Sequence, residues 1–266
     1  WSGGTNSEKF QKTIDMRRVK SEMGYSASDY FAMVFEHLSA RPGINLDDLA
    51  GTELEEAETV LFRDALAESL RATMWMGSVN RAGGYHDTFD GVLSHILEDN
   101  SAAQAEIPGS TLTDAEYNDP DAGETILKKV WNNASVELRS LKAEGNLVFF
   151  VTSDIYSRYE ESLDSAAIES AYVARQEGRP SLLWRGIPIV DMQVSGYLAE
   201  AGDMPKTWAI LTDRRNLALA INTADFPGTE VRMWYNPDEM QNRQRAVFAA
   251  GCNYLLPELI SYAFKA

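Results

Sequence analysis

Three histidines, one cysteine and a surplus of carboxylates are the groups through which this 266-residue chain could do chemistry. His37, His86 and His95 could serve a metal site or acid–base catalysis, but their spacing suits neither. No His-Glu-x-x-His pair occurs, and His86 and His95 flank the segment around Phe89. Cys252 rules out an intrachain disulfide and a cysteine-cluster metal site; its apolar neighbours predict a buried thiol. The pairs Gly3-Gly4 and Gly83-Gly84 are not followed by the Gly-Lys-Ser/Thr of a phosphate loop. Val194-Ser195-Gly196 lacks the first glycine of a nucleophile elbow. Glu55, Glu56 and Glu58 read as the wet face of a helix. Asp213 before Arg214-Arg215 reads as a helix N-cap after a strand, an arrangement that also positions active-site carboxylates. The arginine pair suits a phosphate, a carboxylate of another chain, or a plain surface. We expect no catalytic, cofactor-binding or metal-binding residue.

Composition narrows the function classes. Hydrophobic residues make up 44% of the chain, enough for a real core. Forty acidic residues against 24 basic give a net charge of −16, which argues against a dedicated nucleic-acid binder. No apolar run approaches the ~20 residues that span a bilayer, and no signal peptide is visible.

The elements that must position these groups are mixed. Lys12 to Val19 alternates weakly and predicts an exposed strand. Ser26 with Asp29 resembles a capping box and predicts a helix over 28–38, ended by Pro42-Gly43. A longer helix is predicted from Glu53 to Met76, with Leu54, Leu61, Phe62, Ala65, Leu66, Leu70 and Met74 on its apolar stripe and Gly77 as its stop. At 1.5 Å per residue it is ~36 Å long, a rod that needs partners along its length. Ser101 to Gly123 reads as a surface loop. One helix is predicted from Asp121 to Gly145, then a buried central strand over 147–151 and a short helix capped by Ser153. Strands are predicted at 182–184, 187–190, 208–211 and 217–221, with Pro188 placing the second at a sheet edge. A hairpin turn at Asn236-Pro237-Asp238 joins two final strands, the second running through Val247 and Phe248. Helices early and strands late indicate an α+β fold.

Five stretches in this order resemble one family. They are the 53–77 rod followed by Phe89-Asp90-Gly91-Val92-Leu93; Asn146 to Tyr156; Trp184-Arg185-Gly186-Ile187-Pro188-Ile189-Val190; Trp208 to Leu217; and Glu230 through Arg243-Gln244-Arg245 to Ile260. Over roughly Thr52 to Phe264 the chain resembles the HK97-fold major capsid proteins of tailed bacteriophages. The resemblance implies an N-terminal arm or shortened E-loop region (1–52), a peripheral domain with a spine helix (53–122), a compact axial domain (123–227) and C-terminal strands returning to the peripheral domain (228–266). The residues before the rod are fewer than the family's arm and hairpin usually occupy, and Lys12 to Val19 is the candidate remnant.

The resemblance also implies a function. Subunits would close into pentamers and hexamers of an icosahedral shell around double-stranded DNA, held loosely and non-specifically. Scaffold, portal and maturation protease would be further partners, with no membrane. Assembly would take place in the host bacterial cytoplasm and the product would be the virion capsid. Glu55, Glu58 and Arg71 on the rod, and Arg243 and Arg245 on the last long strand, are the candidate subunit contacts. Two alternatives stay open: an encapsulin-type nanocompartment shell on the same fold, and an α+β enzyme or ligand-binding domain. The second would show a pocket with converging polar groups, first among Asp213, Arg214, His86 and Asp90.

Overall fold

The computed structural model describes residues 12–26, 53–81, 86–101, 107–165, 182–198, 201–222, 230–236, 238–239 and 241–265. His37 and the helix expected over 28–38 lie outside them. In chain order the elements are β1 (Arg17–Ser26), α1 (Glu53–Met76), α2 (Val92–Ser101), β2 (Gly109–Thr111), α3 (Asp114–Tyr117), α4 (Ala122–Asn133), α5 (Val136–Ser140), β3 (Leu147–Val151) and α6 (Ser153–Ser165). Then come β4 (Leu183–Trp184), β5 (Ile187–Asp191), β6 (Thr207–Asp213), β7 (Leu217–Asn222), β8 (Glu230–Asn236), β9 (Gln241–Tyr254) and β10 (Ile260–Lys265). The chain divides into two compact units, Trp1–Asp15 with His95–Ala218 and Cys252–Ala266, and Met16–Ser94 with Leu219–Gly251.

The first unit is built on a six-stranded sheet of order β2-β10-β6-β3-β5-β4. β3 pairs antiparallel with β6 and parallel with β5, so the sheet is mixed. Every residue of β6 is buried, and so are Leu147, Val148, Phe149 and Val151 of β3. These are strands covered on both faces, which is why they read as unbroken apolar runs. Ala122, Ile126, Leu127 and Val130 recur at helical spacing and turn one stripe of α4 into the core with Phe149, Leu211 and Ala263. Residues 95–122 and 252–266 belong to this unit because β2 pairs with β10, and β10 pairs with β6.

Several local expectations are corrected here. The helix expected from Asp121 to Gly145 breaks at Ala134, whose ψ of 143° is extended. Ser135 then caps α5 by accepting from Leu138 N at 3.0 Å, and serine favours that role over a helix interior. The expected loop before Gly123 contains β2 and α3, the latter opened by a full capping box between Thr113 and Glu116. β5 is not an edge strand: the two-residue β4 covers it, with Leu183 opposite Pro188. The β4–β5 turn puts Arg185 and Gly186 at φ of 49° and 83°, the left-handed pair a tight hairpin demands. Ser153 does not cap through its side chain; its hydroxyl donates to Asp191 Oδ1 at 2.8 Å.

The second unit holds α1 and a sheet in which β9 is central, with β1 along one edge and β7 and β8 on the other. β1 starts later than expected and runs ten residues, antiparallel to β9 from Arg17 opposite Ala250 to Ser26 opposite Gln241. The expected hairpin forms between β8 and β9. α1 has the expected bounds, and Gly77 ends it through close approach. A Cβ on Gly77 would lie 2.2 Å from Phe89 O, and one on Gly91 would lie 2.7 Å from Gly77 N. The two glycines let α1 and the start of α2 touch, with Gly91 N donating to Gly77 O at 2.8 Å. The expected stripe of α1 is only partly buried. Phe62 is covered, but Leu61 is 56% exposed and Ala65 is exposed; Ala72, Thr73, Trp75 and Met76 are buried and Met74 is partly buried.

Candidate assembly surface

Among the described residues, the groups with chemical potential are engaged in local structure. Asp213 ends β6 and is buried, and its Oδ1 accepts from Arg215 N at 2.8 Å, the N-cap geometry expected of it. Its Oδ2 accepts from Arg215 Nη2 at 2.7 Å, and the same nitrogen donates to Glu144 Oε2 at 2.7 Å. The Arg215 guanidinium holds the Asp213 carboxyl below the usual carboxylate range. A carboxylate held ionised by two-point contact anchors a turn and is a poor proton acceptor near neutrality. His86 Nδ1 lies 3.1 Å from Thr73 Oγ1, and Asp90 Oδ1 accepts from Val79 N at 2.9 Å. Those two residues belong to the second unit, Asp213 and Arg214 to the first. His95 Nε2 lies 3.1 Å from the Cys252 carbonyl oxygen, and Cys252 is buried as expected. Among the described residues, no group of three or more His, Cys, Asp or Glu could hold a metal ion. No helix among them is long and apolar enough to cross a membrane.

The candidate contact residues fall into two groups. Arg243 and Arg245 come together on β9, two residues apart and therefore on one face. β9 alternates strictly there: Asn242, Gln244, Ala246 and Phe248 are buried, while the odd-numbered residues are partly exposed. Register brings Glu22 of β1 and Arg232 of β8 to either side of Arg245, and Gly24 and Trp234 to either side of Arg243. The Arg245 guanidinium sits 5.5 Å from the Trp234 ring centroid and 4.0 Å from Glu22 Oε1. Lys20 Nζ is 2.8 Å from Glu22 Oε2, and Arg243 pairs with Glu239 in the hairpin turn. Gly24 has no side chain, and a cleft of about 340 Å³ opens there between Glu22, Met23, Gln241 and Arg243.

On α1, Arg71 stands apart from the other two candidates by helical position. Arg71 is half-buried. It follows Glu55 by 16 residues, which at ~100° per residue puts the two positions on nearly opposite sides of the helix. The side chains of Glu55 and Glu58 lie outside the described set. The outward stripe of α1 instead carries Val60 and Leu61, 41% and 56% exposed, with Asp64 and Glu68 one and two turns on from Val60. The sequence signal for this stripe was available: Val60, Asp64 and Glu68 fall at i, i+4 and i+8.

No protein-family model matches the sequence, and no curated protein matches it. Solved structures do. A chain of a satellite phage P4 procapsid that includes the size determination (Sid) protein is similar at a TM-score of 0.59 and 12% identity, covering 100% of this chain and 77% of that one. A chain of Mycobacterium phage Ogopogo is similar at 0.52 and 13%, covering 99% and 82%. One of Gordonia phage Cozz is similar at 0.52 and 14%, covering 96% and 71%. Chains of phage particles thus share the fold of this chain over nearly its whole length, and the protein has the HK97-type capsid fold.

Proposed function

We propose that this protein is a structural shell subunit, the major capsid protein of a tailed phage. Copies close into pentamers and hexamers and tile an icosahedral shell around double-stranded DNA. The observation that carries the reading is the whole-chain likeness to a procapsid chain. Physical features of the second unit support it. A 24-residue helix is largely exposed between Thr59 and Ser69, and a sheet leaves one charged face open. Surfaces of that kind gain stability from repeated, modest contacts between copies.

In this reading the unit with the six-stranded sheet is the axial domain, and the unit with α1 and the four-stranded sheet is the peripheral domain. Glu55, Glu58, Arg71, Arg243 and Arg245 lie at or near subunit contacts. The protein acts without catalysis or a cofactor. Scaffold, portal and maturation protease are its assembly partners. Assembly occurs in the bacterial cytoplasm and the product is the virion capsid. Negative-stain microscopy and sedimentation of the purified chain, alone and with its scaffold, should show capsomer rings or shells. Persistent monomers under both conditions would overturn the proposal.

A further inference from the structure

The open face of the β1–β9–β8 ribbon has the opposite charge to the chain as a whole. By register its strands carry Arg18, Lys20, Arg232, Arg243 and Arg245 against Glu22 and Glu230, and Glu239 of the hairpin turn pairs with Arg243. The whole chain carries −16. Arg232 and Arg245 stand directly opposite each other, a like-charge pairing that disfavours the isolated sheet. Glu22 lies on the other side of Arg245 and is shared with Lys20. A cationic excess on an open face of an anionic protein calls for an anionic partner surface.

The same chain supplies such a surface. Between Glu53 and Glu68, α1 carries Glu53, Glu55, Glu56, Glu58, Asp64 and Glu68, with Arg63 its single cation. Its outward stripe adds the exposed Val60 and Leu61 to Asp64 and Glu68. The sheet face likewise mixes charge with apolar surface, in Trp234 and Val247. The lengths agree. Arg18 to Gly24 spans ~20 Å of strand at 3.3 Å per residue. Glu53 to Glu68 spans ~23 Å of helix at 1.5 Å per residue.

Resting on the shell reading above, we infer that the acidic outward stripe of α1 in one copy docks on the cationic ribbon face of a second copy. The contact is heterologous, a helix stripe on a sheet face, so each copy offers one of each and the contact can propagate around a ring. Close charges of opposite sign fix its register, and the exposed apolar side chains supply the buried area.

The test is a charge swap. R243E/R245E reverses the sheet face, D64K/E68K reverses the helix stripe, and the fourfold variant reverses both. Shell or ring yield is measured by sedimentation and microscopy beside the wild type, with circular dichroism reporting folding of each chain. Each double variant should lose at least 10-fold in assembled yield, and the fourfold variant should recover most of it. Recovery in the fourfold variant also excludes misfolding as the cause of the losses. A double variant that assembles like the wild type overturns the inference, and so does a folded fourfold variant that stays unassembled. If R243E/R245E builds normal shells that retain less DNA, the face serves phosphates and the inference fails while the shell reading stands. A wild type that never leaves the monomer removes the shell reading itself.

Discussion

Replacing Gly123 with alanine drives a methyl group into the backbone of a neighbouring helix. The added Cβ would lie 2.4 Å from both N and Cα of Tyr159 and 2.8 Å from the carbonyl carbon of Arg158. Ordinary carbon contacts need ~3.5–4.0 Å, so α4 and α6 must part by about 1 Å or more. No flexible side chain can yield, because all three obstructing atoms are main chain. Overpacking of this kind costs ~1–3 kcal/mol. Parting the helices also loosens Ile126, Leu127, Ile155 and Tyr159, which share one core. Alanine offsets up to ~1 kcal/mol through its better helix propensity, less at this position near the helix start. The expected net loss is about 2 kcal/mol. Urea unfolding of the unassembled subunit, followed by circular dichroism, should show the midpoint falling by about 0.7 M for a slope of ~3 kcal/mol/M. Gly145→Ala is the control. Its φ is 75° with nothing within 4 Å, so it pays only conformational strain of ~1–2 kcal/mol. A Gly123→Ala subunit as stable as the wild type would refute the close helix crossing.

Ser135→Ala should destabilise by ~1–2 kcal/mol in the same assay, since the hydroxyl accepts from Leu138 N and donates to the Glu258 carbonyl. Asp213→Ala should cost ~1.5–3 kcal/mol, because it removes charge-assisted bonds to Arg215 from a buried cap. Glu116 titrates at about 2, lowered first by the Lys129 ammonium and then by Thr113. A depressed carboxylate stabilises the fold above its ordinary ~4.3 and loses that effect as pH falls toward 2. Glu116→Gln should therefore flatten the pH dependence of stability between pH 4 and 2 and leave its slope near pH 7 unchanged. Cys252 should stay unreactive toward an aromatic disulfide in native subunits and react fully in denaturant, as its burial requires.

Much of the fold was legible wherever the signal is local. The bounds of α1 follow from its apolar spacing and from Gly77, and the buried strands β3 and β6 follow from unbroken apolar runs. The cap at Asp213 follows from a carboxylate between a strand and a short turn. The break at Ala134 was hidden because Leu138 continues the helical spacing of α4 although it belongs to α5. Periodicity cannot see a change of axis that preserves the stripe. Arg243 and Arg245 are neighbours on one strand and could be singled out from local sequence, while the β1 and β8 residues beside them are brought there by long-range pairing that local spacing does not carry.

The sequence alone determined that the familiar metal, phosphate-loop and nucleophile-elbow motifs are missing, and with them the acidic balance, the long rod and the α+β order of elements. Those features depend on composition and on neighbours within a few positions. Only the tertiary structure decided that β1 lines β9, that residues 95–122 and 252–266 join one unit, and that five cations share one face. Glu22 and Arg245 are more than 200 positions apart, and no local propensity encodes a pairing of that range. It emerges when burial of one side of β9 fixes its register, and a shift of one residue would turn every arginine on that face to the other side.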